Sequence, residues 1–243
     1  MGAVPLGAAA GRVASQYVND AILLFDYDGT VRLGTEHASH YARLVAAELA
    51  PDDERAFLAA HAAFLAGKPT TASTFDAYDA DNAVRRLAGE FGVADSVRHD
   101  AYVATRKRMA DGEFAVWAPK GFREFLWSLP RTIEVALVTN APASSLEPVV
   151  ERLGLDGLFD HVIGDAGKPE GMDAILDELL EERAPDALLS IGDIPRNDLA
   201  PAADRGCATA YIDHYGRPWP RATASGATLD ELYPFIHRWI TTR

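Results

Sequence analysis

The sequence predicts an α/β fold: a doubly wound parallel sheet carrying an inserted all-helical module. Three observations lead there. Short apolar runs alternate with helical segments after Pro119, the pattern of a parallel sheet built from right-handed crossovers. Several of those runs stop abruptly at polar or acidic residues. Between about residues 36 and 112 the strand signal disappears, and an alanine-rich, charge-rich helical periodicity replaces it.

The elements follow in order. Residues 1 to 20 read as a loose arm or short helix. Their Gly-Ala-Ala-Ala-Gly run is no phosphate loop, because no strand precedes it and no Gly-Lys-Ser/Thr follows. Ala21 to Phe25 is a continuous apolar strand, as expected for one buried on both faces, and it ends in the turn chemistry of Asp26-Tyr27-Asp28-Gly29-Thr30. The insertion contains helices at His37 to Leu49, Asp52 to Ala66, Ala77 to Phe91 and Asp95 to Ala110. Pro51 opens the second, Gly67-Lys68-Pro69 closes it, and Gly92 ends the third. Helix Lys120 to Ser128 then leads to strand Ile133 to Val138, helix Pro142 to Leu153 and the short strand His161 to Ile163. Helix Glu170 to Arg183, strand Ala187 to Ile191, helix Asn197 to Arg205 and strand Ala208 to Ile212 come next. Leu229 to Thr241 is the last helix. The domain division is therefore 1–32 with 115–243 for the α/β core and 33–114 for the helical module.

Length and composition bound the function. A chain of 243 residues suits one large domain or a core plus an insertion, and 48% apolar content is ample for its core. The net charge of -13 makes nucleic acid and anionic membrane unfavoured partners. The same charge obliges any anion site to carry local positive charge. A lone cysteine, Cys207, forbids an intrachain disulfide and reads as a buried structural thiol, which fits a reducing, cytoplasmic setting. The N-terminus lacks the basic start of a signal peptide, and no apolar run approaches the length of a membrane span.

Ligands of open parallel sheets bind beyond the carboxyl ends of the strands. The first strand delivers Asp26 and Asp28 there, the second Thr139 and Asn140, and the fourth Asp193 with Asp198 shortly after. The loop after Ile163 carries Asp165 and Lys168. Taken singly, an Asp-x-Asp pair, a Lys-Pro loop or a Gly-Asp turn is more often plain turn chemistry. All of them in this order, each at a strand end or adjoining loop, point to a shared site. Crowded carboxylates repel unless a cation intervenes, and an oxygen-rich site suits magnesium. With Lys168, Thr139 and loop amides, such a site fits a phosphoryl group.

These motifs are Phe25-Asp26-Tyr27-Asp28-Gly29-Thr30, Val138-Thr139-Asn140, Gly167-Lys168-Pro169 and Ile191-Gly192-Asp193 with Asn197-Asp198. In that order the chain resembles the haloacid dehalogenase-like (HAD) superfamily, in its phosphatase branch near the phosphoglycolate phosphatase-like group. The resemblance implies a Rossmann-like core, a C1-type helical cap, and a magnesium-dependent phosphomonoester hydrolase acting on a small metabolite. It casts Asp26 as the nucleophile that forms an aspartyl-phosphate, and Asp28 as general acid and then base. Thr139 orients the phosphoryl group and Lys168 neutralises nucleophile and phosphate. Asp193, the Asp26 carboxylate and the Asp28 backbone carbonyl hold Mg2+, with Asp198 supporting the metal. Gly29, Thr30 and Asn140 join the phosphate-binding set. Asp28 also favours ester hydrolysis over dehalogenation, because an alkoxide leaving group needs a proton and a halide does not.

Two departures stand out. Ile194-Pro195-Arg196 replaces the usual small polar residues of the fourth motif; Arg196 either reaches substrate phosphate or faces solvent, and solvent is favoured. Arg32 follows the first motif where an acidic or polar turn is more usual, which bears on the cap hinge. In the cap, Lys68, Thr70, Thr71 and the run Arg106-Lys107-Arg108 are the polar candidates for specificity, the basic run reading foremost as a solvated face. Phe64, Phe75, Tyr78, Tyr102, Phe114 and Trp117 read foremost as packing residues, and His99 and His161 as structural or surface ones. Alternatives on the same residues are a phosphotransferase or phosphomutase, a phosphonate hydrolase using Lys68 or Lys107, and a catalytically silent phosphate-binding regulator. The partner expected is a small phosphate ester, with the chain as monomer or homodimer.

Overall fold

A computed structural model describes residues 21–242, so the expectation for the first twenty residues lies outside the described part. The chain divides into two compact units, Met1–Leu33 with Val116–Arg243, and Gly34–Ala115.

The first unit is a six-stranded sheet with flanking helices. Its strands are β1 (Ala21–Phe25), β2 (Ile133–Val138), β3 (His161–Ile163), β4 (Leu188–Gly192), β5 (Ala208–Ile212) and β6 (Ala224–Gly226). They lie in the order β3-β2-β1-β4-β5-β6, and every neighbouring pair is parallel. The chain therefore winds outward from β1 to β3, returns to place β4 beside β1, and winds outward the other way. Right-handed crossovers in both directions put helices on both faces. Every residue of β1, β2 and β4 is buried, which is why these strands read as near-continuous apolar runs, interrupted only at Glu134 and Ser190, instead of alternating ones. Ile22, Leu24, Ala136 and Val138 pack with Met172, Leu176 and Leu179 of one flanking helix and with Cys207, a buried free thiol.

Several expected helices are shorter or divided, for local reasons. Pro142 to Leu153 becomes a 3-10 turn at Ala143–Ser145 followed by a helix at Glu147–Arg152. Pro148 lacks an N–H and its ring clashes with the carbonyl four residues back, so a continuous helix cannot pass it. Asn197 to Arg205 becomes a π-helical turn at Pro195–Leu199 and a short helix at Ala200–Asp204. β6 carries no apolar signal; it pairs through its backbone, Ala210 to Ala224 and Ile212 to Gly226. At the amino ends of the strands, Glu134 is buried and takes His161 Nε2 at 2.6 Å and Arg183 Nη1 at 2.9 Å, which gives His161 a structural role.

The second unit holds α1 (Glu36–Ala46), α2 (Pro51–Leu65), α3 (Ala72–Phe75), α4 (Ala80–Glu90) and α5 (Asp95–Ala110). Its core comprises Tyr41, Val45, Phe57, Val84, Leu87 and Ala101 among others. The helix expected from Ala77 begins three residues later, because the Asp79 carboxylate accepts the Asn82 N–H at 2.5 Å as its N-cap. Thr71 and Thr74 close a reciprocal capping box on α3. The solvated-face expectation fails for Arg106. It is buried and donates to the Tyr102 hydroxyl at 3.0 Å, while Lys107 and Arg108 pair outward with Asp111 and Glu113. Its long apolar stem lets an arginine cross the helix packing when its head finds a partner. Phe75, by contrast, is exposed, and Trp117, also exposed, belongs to the first unit.

His61, on α2, is buried, and that burial lowers its pKa; the neighbouring His37 acts in the same direction, against the Asp81 carboxylate and the Ala80 backbone, which raise it. The folded state thus binds a proton less readily than the unfolded chain, whose histidines titrate near about 6.5. The stabilising contribution is complete above that pH and is lost as pH falls below it toward the folded pKa. We expect the urea midpoint of the native protein to fall more between pH 7.5 and 5.5 than that of His61→Asn. Identical slopes would show that the buried imidazole does not carry this dependence.

Candidate active site

The site forms where the winding reverses. β1 and β4 are neighbours whose connections leave in opposite directions, and the crevice beyond their carboxyl ends is where open α/β sheets bind ligands. Asp26 follows β1 directly, and its N–H bonds the Ile191 carbonyl of β4 at 2.9 Å. Asp193 follows β4. The sheet register therefore brings together two acids that lie 167 positions apart in the sequence.

Lys168 is the centre of the arrangement. Its side chain is 3% exposed, and its ammonium donates to Asp26 Oδ1 at 2.7 Å, Asp198 Oδ1 at 2.8 Å and the Val138 carbonyl at 2.9 Å. An ammonium has three protons, so its hydrogen-bonding capacity is filled. Burial opposes the charge on Lys168, but the carboxylates of Asp198 and Asp26 outweigh it and hold its pKa above the usual lysine value. The second oxygen of Asp198 accepts the Ile194 N–H at 2.8 Å, and its backbone carbonyl accepts the Ser190 hydroxyl at 2.6 Å.

Asp26 is pushed up to about 7, first by burial and then by the charge of Asp198, with Lys168 pulling it back and Asp28 adding to the rise. Its Oδ2 is buried without a hydrogen-bond partner among the described residues. An orphan carboxylate oxygen of this kind is costly unless something binds it. Oxygens of Asp26, Asp193 and Asp198 all lie within 4.8 Å of one another, and all three residues are buried. This oxygen-only donor set fits a hard divalent cation, which would also return Asp26 to its ionised form.

Two glycines make room for the acids. A Cβ on Gly29 would stand 2.3 Å from Asp193 Oδ2, and one on Gly192 would stand 2.5 Å from the Asp198 Cβ. Gly29 also has φ +86°, in the left-handed region that disfavours side chains. Thr30 is fully buried in the same turn. The Thr139 hydroxyl oxygen accepts the Ala141 N–H at 3.0 Å, so its hydrogen remains to be donated to a ligand oxygen.

Of the residues the sequence assembles, Asp26, Lys168, Asp193 and Asp198 meet in this buried cluster. Asn140, expected on phosphate, holds the lysine's backbone: its side-chain amide donates to the Lys168 carbonyl at 2.9 Å and accepts the Lys168 N–H at 2.6 Å. Arg196 faces solvent at 76% exposure, 3.9 Å from Glu170. Asp165 instead locks its loop by accepting the Ala143 N–H at 2.9 Å. Two contributors escape the motif reading. Ser190 carries a signal, a single polar residue inside an apolar strand. His214, after β5, carries none: its Nε2 lies 2.7 Å from the Gly29 carbonyl and 3.9 Å from Asp193 Oδ2. A carbonyl only accepts, so that nitrogen bears the proton.

The chain is thus a doubly wound α/β protein with a buried acid–lysine cluster at the switch point, where such sheets bind ligands. A family model described as haloacid dehalogenase-like hydrolase matches residues 21–206, and the chain belongs to that family. No curated protein matches it. Among solved structures it is similar to the HAD-hydrolase YfnB from Bacillus subtilis bound to magnesium (19% identity, 90% of this chain and 99% of that one, TM-score 0.60). It is likewise similar to a predicted phosphoglycolate phosphatase from Haemophilus somnus (17%, 91% and 100%, 0.55) and to the L-2-haloacid dehalogenase RSc1362 (19%, 89% and 98%, 0.57). At these identities the likeness is one of fold.

The packing of Gly29 on Asp193 is open to test. Gly29→Ala and Gly121→Ala both place a side chain at positive φ, but a Cβ at Gly121 meets nothing within 4 Å. Gly29→Ala is expected to cost roughly 1–3 kcal/mol more in urea unfolding. Equal losses would mean that the Asp193 carboxylate does not sit against this turn.

Proposed function

We propose that this chain is a magnesium-dependent phosphomonoester hydrolase of a small metabolite, working through an aspartyl-phosphate on Asp26. One observation carries the reading: a buried aspartate with an orphaned oxygen lies beside a saturated lysine, and a second aspartate, Asp28, stands two positions on. The dehalogenase-like neighbour shares the fold, but a halide leaves without a proton, whereas an ester oxygen needs one. The magnesium-bound and phosphatase-like neighbours share the fold equally, so the choice rests on Asp28.

Asp26, Asp193 and the turn at Asp28 would hold Mg2+, which when bound screens the charge of the phosphate from the attacking carboxylate. Asp26 is the nucleophile, fixed in place by the Ile191 carbonyl and Lys168. Lys168 neutralises it without taking a further hydrogen bond, and Asp198 and Asn140 hold the lysine at both its ammonium and its backbone. Thr139 directs its hydroxyl at a phosphoryl oxygen. Asp28 gives the leaving oxygen its proton and then takes one from the water that cleaves the aspartyl-phosphate. The substrate is small, and no nucleic-acid or membrane partner is part of the reading. No helix among the described residues is long and apolar enough to cross a membrane.

The purified protein should release inorganic phosphate from p-nitrophenyl phosphate in the presence of Mg2+ and stop when EDTA removes it. Asp26→Asn should lower kcat on the order of 10⁴-fold. Chloride release from 2-chloropropionate without phosphatase activity would transfer the chain to the dehalogenase branch. An isomerised product that retains its phosphoryl group would instead indicate a mutase.

A further inference from the structure

Arg32 is 3% exposed, and its Nε donates to Asp28 Oδ1 at 2.7 Å. Asp28 itself is 26% exposed, so the pair joins a buried cation to a carboxyl that reaches solvent. Both residues belong to one tight turn. The Tyr27 carbonyl accepts the N–H groups of Thr30, Val31 and Arg32 at 3.2, 2.9 and 2.8 Å, and the Gly29 N–H returns to the Arg32 carbonyl at 3.0 Å. Tyr27 and Val31 are buried on either side. The backbone thus fixes where the arginine starts, and burial fixes where its head ends. A charge-assisted bond of this length between a desolvated guanidinium and a carboxyl is strong and directional.

We propose that Arg32 is a positioning residue that sets the Asp28 carboxyl against the leaving oxygen of the substrate. The inference rests on the hydrolase reading above. An arginine is always charged and cannot be deprotonated in proteins, so it orients the carboxyl without joining the proton transfer. In the first half-reaction the bond between phosphorus and the leaving oxygen breaks as the Asp26 oxygen bonds to phosphorus. The proton of Asp28 goes to the departing oxygen. In the second, water oxygen bonds to phosphorus, Asp26 leaves as carboxylate, and the water proton goes to Asp28. Arg32 ends each half unchanged.

The test compares esters whose leaving groups differ in their need for that proton. Positioned general acids contribute about 10²- to 10⁴-fold, and an aryl oxide leaves with little help. Arg32→Gln should therefore lower kcat on β-glycerophosphate by about 100-fold, and on p-nitrophenyl phosphate by less than about a tenth of that factor. Arg32→Lys keeps a cation but moves it, and should show the same split to a smaller degree; it serves if the glutamine variant does not fold. Equal losses on both esters would mean that Arg32 merely supports the turn, and would overturn the proposal. A crystal structure of Arg32→Gln reads placement without turnover. A displaced Asp28 carboxyl supports the inference, and an unmoved one overturns it. If the native enzyme hydrolyses neither ester while Asp28 is displaced in the variant, the hydrolase reading fails and takes the leaving-oxygen role with it, while Arg32 still sets where the Asp28 carboxyl lies.

Discussion

A buried ammonium shared by two carboxylates and a carbonyl governs the site. Lys168 comes from the loop after β3, Asp26 from β1, Asp198 from the segment after β4 and Val138 from β2. Three strand ends and a loop are therefore tied through one atom. Removing a charge from water is costly, and here the cost is offset by three acceptors for three protons. With that demand met, only one oxygen of Asp26 is used, and the other is left buried and available to a ligand.

The surroundings of this centre are organised to keep it rigid. Asn140 clamps the backbone of Lys168, Ser190 and Ile194 hold Asp198, and Gly29 and Gly192 let backbone approach carboxylates closer than any side chain would permit. His214 adds a bond to the turn that carries Gly29. None of these residues needs to touch a substrate. Each fixes one that does in the proposed mechanism, and a nucleophile gains most of its advantage from being held in place before the reaction. In its proposed role, Arg32 extends the same logic to the Asp28 carboxyl.

The family's fold accommodates more than one chemistry, and the solved structures similar to this chain include both a phosphatase-like protein and a dehalogenase. In the proposed mechanism the sheet and its switch point supply Asp26 as the nucleophile, and the residue two positions later separates the reactions, because it determines whether a departing oxygen can be protonated. The helical unit has its own core of Tyr41, Val45, Phe57 and Leu87, separate from that of the sheet.

The sequence by itself determined the parallel sheet, the helical insertion and the acids and lysine of the centre. Strands buried on both faces are predominantly apolar, so Ala21–Phe25 and Ile133–Val138 announce themselves, and the polar residues that end them lie at the ligand edge by topology. Helix lengths were less legible where a proline or a cap acts locally, as at Pro148 and Asp79. β6 pairs through backbone alone and left no side-chain pattern to read. Only the tertiary structure decided the rest. Whether Asn140 bonds the loop that carries Lys168, whether Arg106 is solvated or buried, and whether Arg32 meets Asp28 are questions of distance. His214 lies 185 positions from the glycine it bonds, and no local pattern encodes such a contact. It exists because strand order folds both loops onto one edge of the sheet.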